Sequence, residues 1–178
     1  MNNQAATLWK KATNELLKVE LQTHHPFRYV ALNTHSDFPE CRWVVTRAIN
    51  DNYHFLFYTD SRAPKVRQIL ENEKVGITCY HPELKLQIRI KGLAQVIQSG
   101  PLFEQHLAVA KNHPTDYTSI HAPGTELAGP AVHKEDLDFS LICVMPIAFD
   151  VLLLNSGGHL RAQYKYAKDE WTGFLVTP

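Results

Sequence analysis

The segment Tyr58-Thr59-Asp60-Ser61-Arg62-Ala63-Pro64-Lys65-Val66-Arg67 reads as a strand running into a helix start. Arg62, Lys65 and Arg67 crowd that helix N-terminus, which already carries roughly half a positive charge, so each cation there costs about a few tenths of a kcal/mol. The free N–H groups that disfavour cations attract phosphate, and a bound phosphate reverses the local balance. A solvated basic surface, with Asp60 compensating in part, is the other reading of the same residues.

Two further segments carry polar groups where a strand should be apolar. In Cys41-Arg42-Trp43-Val44-Val45-Thr46-Arg47, alternation puts Arg42, Val44 and Thr46 on one face and Trp43, Val45 and Arg47 on the other. Arg42 then lies near the end at which Thr59 leads into the basic helix start, so Arg42 and Lys65 converge on one anion, or Arg42 is capped by a surface carboxylate. In Leu84–Gly92, Gln87, Arg89 and Lys91 share one face and Ile88 and Ile90 the other. Gln87 offers both a donor and acceptors, which suits the edge of a heteroaromatic ring, and equally suits water.

The elements that must position these groups follow from periodicity. Residues 5–20 have helical spacing through Leu8, Trp9, Ala12, Leu16 and Leu17. Phe27–Asn33, Arg42–Ile49 and Tyr53–Thr59 read as strands, the last two joined as an antiparallel hairpin through Asn50-Asp51-Asn52. Residues 63–72 return to helix, with Pro64 in the first turn and Val66, Ile69 and Leu70 on one face. Val75–Tyr80 and Leu84–Gln98 read as strands, the second with a bulge at Gly92. Pro101–Asn112 is helical, 113–138 irregular, and Leu141–Leu154, Leu160–Tyr166 and Trp171–Val176 are strands. Short strands joined by hairpins, with a few helices between, predict an antiparallel barrel with helices at its rim.

Composition narrows the function classes. The 178 residues fit one domain, 1–178, and 44% hydrophobic content supplies a core. Lys and Arg balance Asp and Glu at 18 each, so no basic field serves nucleic acid, and an anion must be held by local charge. No apolar run spans a membrane and no signal sequence opens the chain, which predicts a soluble, cytoplasmic protein. Cys41, Cys79 and Cys143 have no zinc spacing and are expected as buried free thiols. The 10 histidines, among them His24, His25, His106, His113, His121 and His133, form no ligand motif and are expected in exposed loops and turns.

The ordered set Arg42–Arg47, Phe57-Tyr58-Thr59-Asp60 with Arg62 and Lys65, and Gln87-Ile88-Arg89-Ile90-Lys91-Gly92 resembles the pyridoxamine 5′-phosphate oxidase-like flavoproteins. The likeness is to the FMN-binding, Alr4036-like branch related to that oxidase. It runs from about Pro26 to Ile97 and returns after Leu152. The resemblance implies a mainly β fold, the FMN-binding split β-barrel with peripheral helices, which forms a homodimer with FMN in clefts at the subunit interface. It implies that Arg42 and Lys65 are the phosphate ligands, with Arg62 among the cofactor-binding residues. It places Val44, Val45, Thr46 and Arg47 along the isoalloxazine ring, Tyr58 and Thr59 at the strand end, Gln87 on the flavin and Arg161 in the late basic segment. Pro123-Gly124-Thr125 resembles the loop given by the partner subunit.

The departures concern chemistry rather than cofactor. Ala63 and Pro64 stand where the oxidase has a serine-arginine pair. His159 and Gln163 flank Arg161 where basic residues are expected, Leu153 replaces a tail tryptophan, and His106 and Ala110 fall where the vitamer's phosphate is held. The resemblance therefore implies a flavin-dependent oxidoreductase acting on a small molecule, with no catalytic acid or base assigned and no metal. A non-catalytic FMN or haem-binding module of the same fold is the alternative.

Overall fold

A computed structural model describes residues 1–112 and 116–178. His113 lies outside the described residues. Helix α1 spans Asn3–Leu17 and is capped by the Asn2 side chain, which accepts the Ala5 N–H at 2.9 Å. A 3₁₀ turn, Pro26–Arg28, leads into β1, Tyr29–Thr34. The remaining elements are β2 (Glu40–Ile49), β3 (Phe55–Asp60), α2 (Pro64–Glu71), β4 (Lys74–His81), β5 (Leu86–Ile97), α3 (Pro101–Ala110), β6 (Phe139–Leu153), β7 (Leu160–Ala167) and β8 (Glu170–Val176).

All eight strands join one sheet in the order β3-β2-β1-β4-β5-β6-β7-β8, and β3 also pairs with β6. That extra pairing closes six strands into a barrel, which removes the free edges, and leaves β7 and β8 as a flap running on from β6. The mainly β barrel with helices at its rim is the architecture expected from the sequence. The β2–β3 hairpin forms, but its loop runs from Asn50 to His54, and Asn50 Oδ1 organises it by accepting the Asn52 and His54 N–H groups.

Inward-facing residues of the barrel build the main core around Phe27, Leu32, Phe55, Phe57, Ile77, Ile88 and Phe149. Helix α1 docks beside the flap, where Trp9 meets Tyr53, Phe149, Tyr164 and Trp171, and the Tyr164 hydroxyl donates to the Ala5 carbonyl at 2.8 Å. A second core lies outside the barrel, where Phe103 of α3 and Tyr117 cover Leu56, Phe139 and Leu141. The strand register shifts between Lys91 and Gly92, the expected bulge. A Cβ at Gly92 would sit 2.6 Å from Val144 Cγ1, so only glycine fits there.

Three expectations are corrected. Leu70 is exposed rather than on the buried face of α2, and Gln68 takes its place there. Cys41 is exposed at the rim of β2, while Cys79 and Cys143 are buried as expected. His25 and His81 are buried, at 4% and 8% exposure, rather than solvated. No helix among the described residues is long and apolar enough to cross a membrane.

Candidate functional site

Antiparallel pairing puts Arg42 opposite Leu32, on the inward face but at the barrel's open end. Here α2 crosses the opening, because Val66 and Ile69 bury against the barrel and carry Gln68 inward with them. The Arg42 guanidinium donates to the Thr34 hydroxyl, to Gln68 Oε1 at 3.1 Å and to the Leu32 carbonyl at 3.3 Å. The Thr34 hydroxyl in turn donates to Gln68 Oε1 at 2.6 Å. Gln68 and Thr34 are nearly fully buried, so this network fixes the Arg42 side chain.

Lys65, one turn before Gln68 on α2, donates to the Thr59 hydroxyl at 3.0 Å. Burial pushes its pKa down, the Arg42 charge pushes it further, and Asp60 pulls it partly back. Two cations are thus held within each other's field at the mouth of the barrel. An ammonium with one hydrogen bond has further N–H groups to give. Such a pair is costly alone and suits a doubly charged anion such as a phosphate ester.

Arg62 has a different task. Its guanidinium reaches Asp60 at 2.7 Å and Asp138 at 2.9 Å, and donates to the carbonyls of Ser119 and Ile120 at 2.8 and 3.2 Å. Those contacts consume its donors and pin the 119–121 segment over β3. Arg67 is exposed beside Glu71. Of the crowded cations at this helix start, Lys65 is the one aimed into the cradle.

Further along β2, Val44 and Thr46 follow Arg42 on the inward face, and Val45 and Arg47 face outward. The register shifts between Thr46 and Ala48, so Arg47 sits in a bulge. Its guanidinium stacks 4.8 Å from the centre of the Tyr58 ring. The Tyr58 hydroxyl is 2.7 Å from His106 Nδ1 on α3. Burial raises the Tyr58 pKa against the pull of Arg47, and burial lowers that of His106, so both are held neutral. Thr46 Oγ1 and Arg47 Nε are buried with no hydrogen-bond partner among the described residues. Native proteins rarely leave such atoms idle, and both belong to the stretch expected along the cofactor ring.

Gln87 and Arg161 lie on the outer face, on either side of Leu152, to which both are paired. Arg161 is held by Asp150 through two bonds of 2.9 and 2.8 Å, and Arg89 and Gln163 converge on the same carboxylate. Burial raises the Asp150 pKa, but these donors outweigh it and hold it far below the usual carboxylate range. Beside this cluster a cavity of about 450 Å³ is lined in part by Asn33, Arg89, Lys91 and Lys165. A second cavity of about 470 Å³ is lined by Pro26, Tyr29, Trp43, Tyr80 and Pro82. Trp43 is 72% exposed and Tyr29 58%, so an aromatic row lies open on the outer face across β1 and β2.

Apart from Val44, Val45 and Thr46 along β2 and Arg62 over β3, the predicted residues therefore fall into three groups: Arg42, Thr59 and Lys65 at the barrel mouth, Arg47 and Tyr58 under α3, and Gln87 and Arg161 on the outer sheet. Sequence reading missed Thr34 and Gln68. The signal for Gln68 was present: a polar residue between Val66 and Ile69 on the apolar face of α2.

Comparison with known proteins bears on the family and the fold. The family described as pyridoxamine 5′-phosphate oxidase, FMN-binding domain, matches residues 6–98. The pyridoxine/pyridoxamine 5′-phosphate oxidase of Legionella pneumophila strain Lens is 27% identical over 101 residues, covering 56% of this chain and 45% of that protein. The matched region thus spans less than half of the curated relative. Among solved structures, a pyridoxamine 5′-phosphate oxidase-related, FMN binding protein from Nostoc punctiforme aligns over 96% of this chain and 97% of its own, with TM-score 0.72 and 22% identity. PhzG from Burkholderia lata, in complex with tetrahydrophenazine-1-carboxylic acid, aligns over 97% and 92% with TM-score 0.72 and 19% identity. At those identities the structural likeness speaks to fold, and the family match to descent. The chain belongs to the pyridoxamine 5′-phosphate oxidase FMN-binding domain family.

Proposed function

We propose that this chain binds FMN as a homodimer and acts as an oxidoreductase on a small molecule. The observation that carries the reading is the cradle at the barrel mouth, where Arg42 and Lys65 are brought together on Thr34, Thr59 and Gln68. Arg42 and Lys65 would hold the phosphate. Val44, Val45, Thr46 and Arg47 would run along the ring, partly through the β2 backbone, with the Arg47 Nε on the outward face available to it. Tyr58 would orient Arg47 from below, and Thr59 would fix Lys65. Arg62 would serve the phosphate by holding the loop over β3. When bound, FMN supplies hydride and electron transfer, and the chain supplies position and charge.

The positions of the remaining groups support the dimer. Gln87 and Arg161 sit on the outer face with the exposed row of Tyr29, Trp43 and Tyr80. Burying that row against a second copy supplies a hydrophobic contact and brings one subunit's outer face to the other's cofactor strand. Sedimentation of the purified chain, its visible spectrum, and turnover with NAD(P)H or pyridoxine phosphate test the proposal together. A dimer with flavin bands and turnover supports it. Flavin bands without turnover leave an FMN carrier, and haem bands or a colourless monomer reject it.

A further inference from the structure

At the opposite end of β1 from the phosphate cradle, Glu15 of α1, His25 before the 3₁₀ turn and His81 at the end of β4 meet. His25 Nε2 lies 3.3 Å and His81 Nε2 4.0 Å from Glu15 Oε2, with the two rings 5.6 Å apart. Their ligand-type atoms all lie within 4.8 Å of one another, a spacing a divalent metal can use.

The outer nitrogens decide against that use. His25 Nδ1 accepts the Phe27 N–H at 3.1 Å, and His81 Nδ1 accepts the Leu84 N–H at 3.3 Å. A backbone N–H can only donate, so both Nδ1 atoms are unprotonated and both Nε2 atoms carry the hydrogen toward Glu15. A metal on Nε2 needs the proton on Nδ1, which both backbone amides block. Lys18 Nζ also sits 2.6 Å from Glu15 Oε1 and already neutralises the carboxylate.

The same geometry makes the cluster sensitive to acid. A second proton on either ring has only Nδ1 to occupy, and there it ejects a backbone N–H from its acceptor. The Phe27 amide shapes the entry to β1 and the Leu84 amide shapes the β4–β5 turn. We propose that Glu15, His25 and His81 form a latch that ties α1 and the β4–β5 turn to the start of β1 and is released by protonation of either imidazole. The other charged or titratable groups around it are Lys18 on α1, His24 next in the chain and Glu83 in the turn. Burial holds the His25 pKa below its ordinary value against the pull of Glu15, with His81 and Lys18 adding to the decrease. The open form therefore takes up the proton more readily than the closed one, and acid favours opening.

Hydrogen exchange of the whole 178-residue chain tests this directly. Between about pH 7.5 and about pH 5.5, after correction for intrinsic rates, the Phe27 and Leu84 amides should lose about tenfold more protection than the Ile88 amide. In the double variant His25→Asn with His81→Asn, Oδ1 keeps an acceptor for each amide but nothing titrates, and the extra loss should vanish. Unchanged protection of both amides in the unaltered protein overturns the latch whatever the variant does. A rise in melting temperature with Zn²⁺ that the double variant abolishes also overturns it, in favour of a metal site.

Discussion

The Arg42 guanidinium donates to Gln68 Oε1 at 3.1 Å, which locks the start of β2 to the buried face of α2. Because Thr34 donates to the same oxygen, replacing Gln68 leaves a buried hydroxyl and a partly buried guanidinium without their acceptor. Gln68→Leu should therefore cost about 1–3 kcal/mol of stability, read from urea unfolding. It should also weaken FMN, since Arg42 loses the brace that aims it. Unchanged stability would mean that the network does not fix Arg42.

Lys65 gives the cradle a pH limit on its alkaline side. Its folded pKa is lowered from 10.5 by burial and by Arg42, so it loses its proton at lower pH than an ordinary lysine. FMN affinity should decline as pH rises through that lowered value. Titrations between about pH 7 and about pH 10 should show the decline, and Lys65→Arg, which stays charged, should flatten it.

Acid should act through Asp150. Its folded pKa is depressed below the ordinary 3.8, so its contribution is complete above that pH and is lost as pH falls through the folded value. In Asp150→Asn this loss should disappear, leaving a flatter stability profile at low pH, measured by the urea midpoint across a pH series. Equal slopes in both proteins would show that Arg89 and Arg161 do not hold the carboxylate in solution.

Glycine is required at two packed positions. A Cβ at Gly173 would fall 2.2 Å from Tyr164 Cδ1, and one at Gly92 would strike Val144 and the Met145 carbonyl. Each Gly→Ala change should cost about 1–3 kcal/mol by thermal unfolding, through overpacking. Gly129, with open space around its Cβ position, serves as the control and should change little.

Strand positions were legible because the inward and outward faces of β4 and β5 alternate in hydrophobicity, and Gly92 marked the bulge. Arg42, Lys65 and Thr59 were legible as a group because a hairpin and a strand-to-helix turn bring them close along the chain. The loop-holding contacts of Arg62 were not legible because its partners beyond Asp60, namely Asp138 and the carbonyls at 119–120, lie more than fifty residues away. Sequence separation likewise hid His81 from Glu15 and His25, which lie together on the far side of β1 to β4 in the chain. Leu70 and Gln68 exchanged roles because a short helix can present either face, and only the barrel mouth decides which is buried.

The most direct measurement is a calorimetric titration of FMN into the unaltered protein and into Lys65→Ala. The account predicts binding by the unaltered protein and a loss of about 1.5–3 kcal/mol in the variant, the range for a charge-assisted hydrogen bond. Equal affinity in the two proteins, or no binding by either, would contradict it.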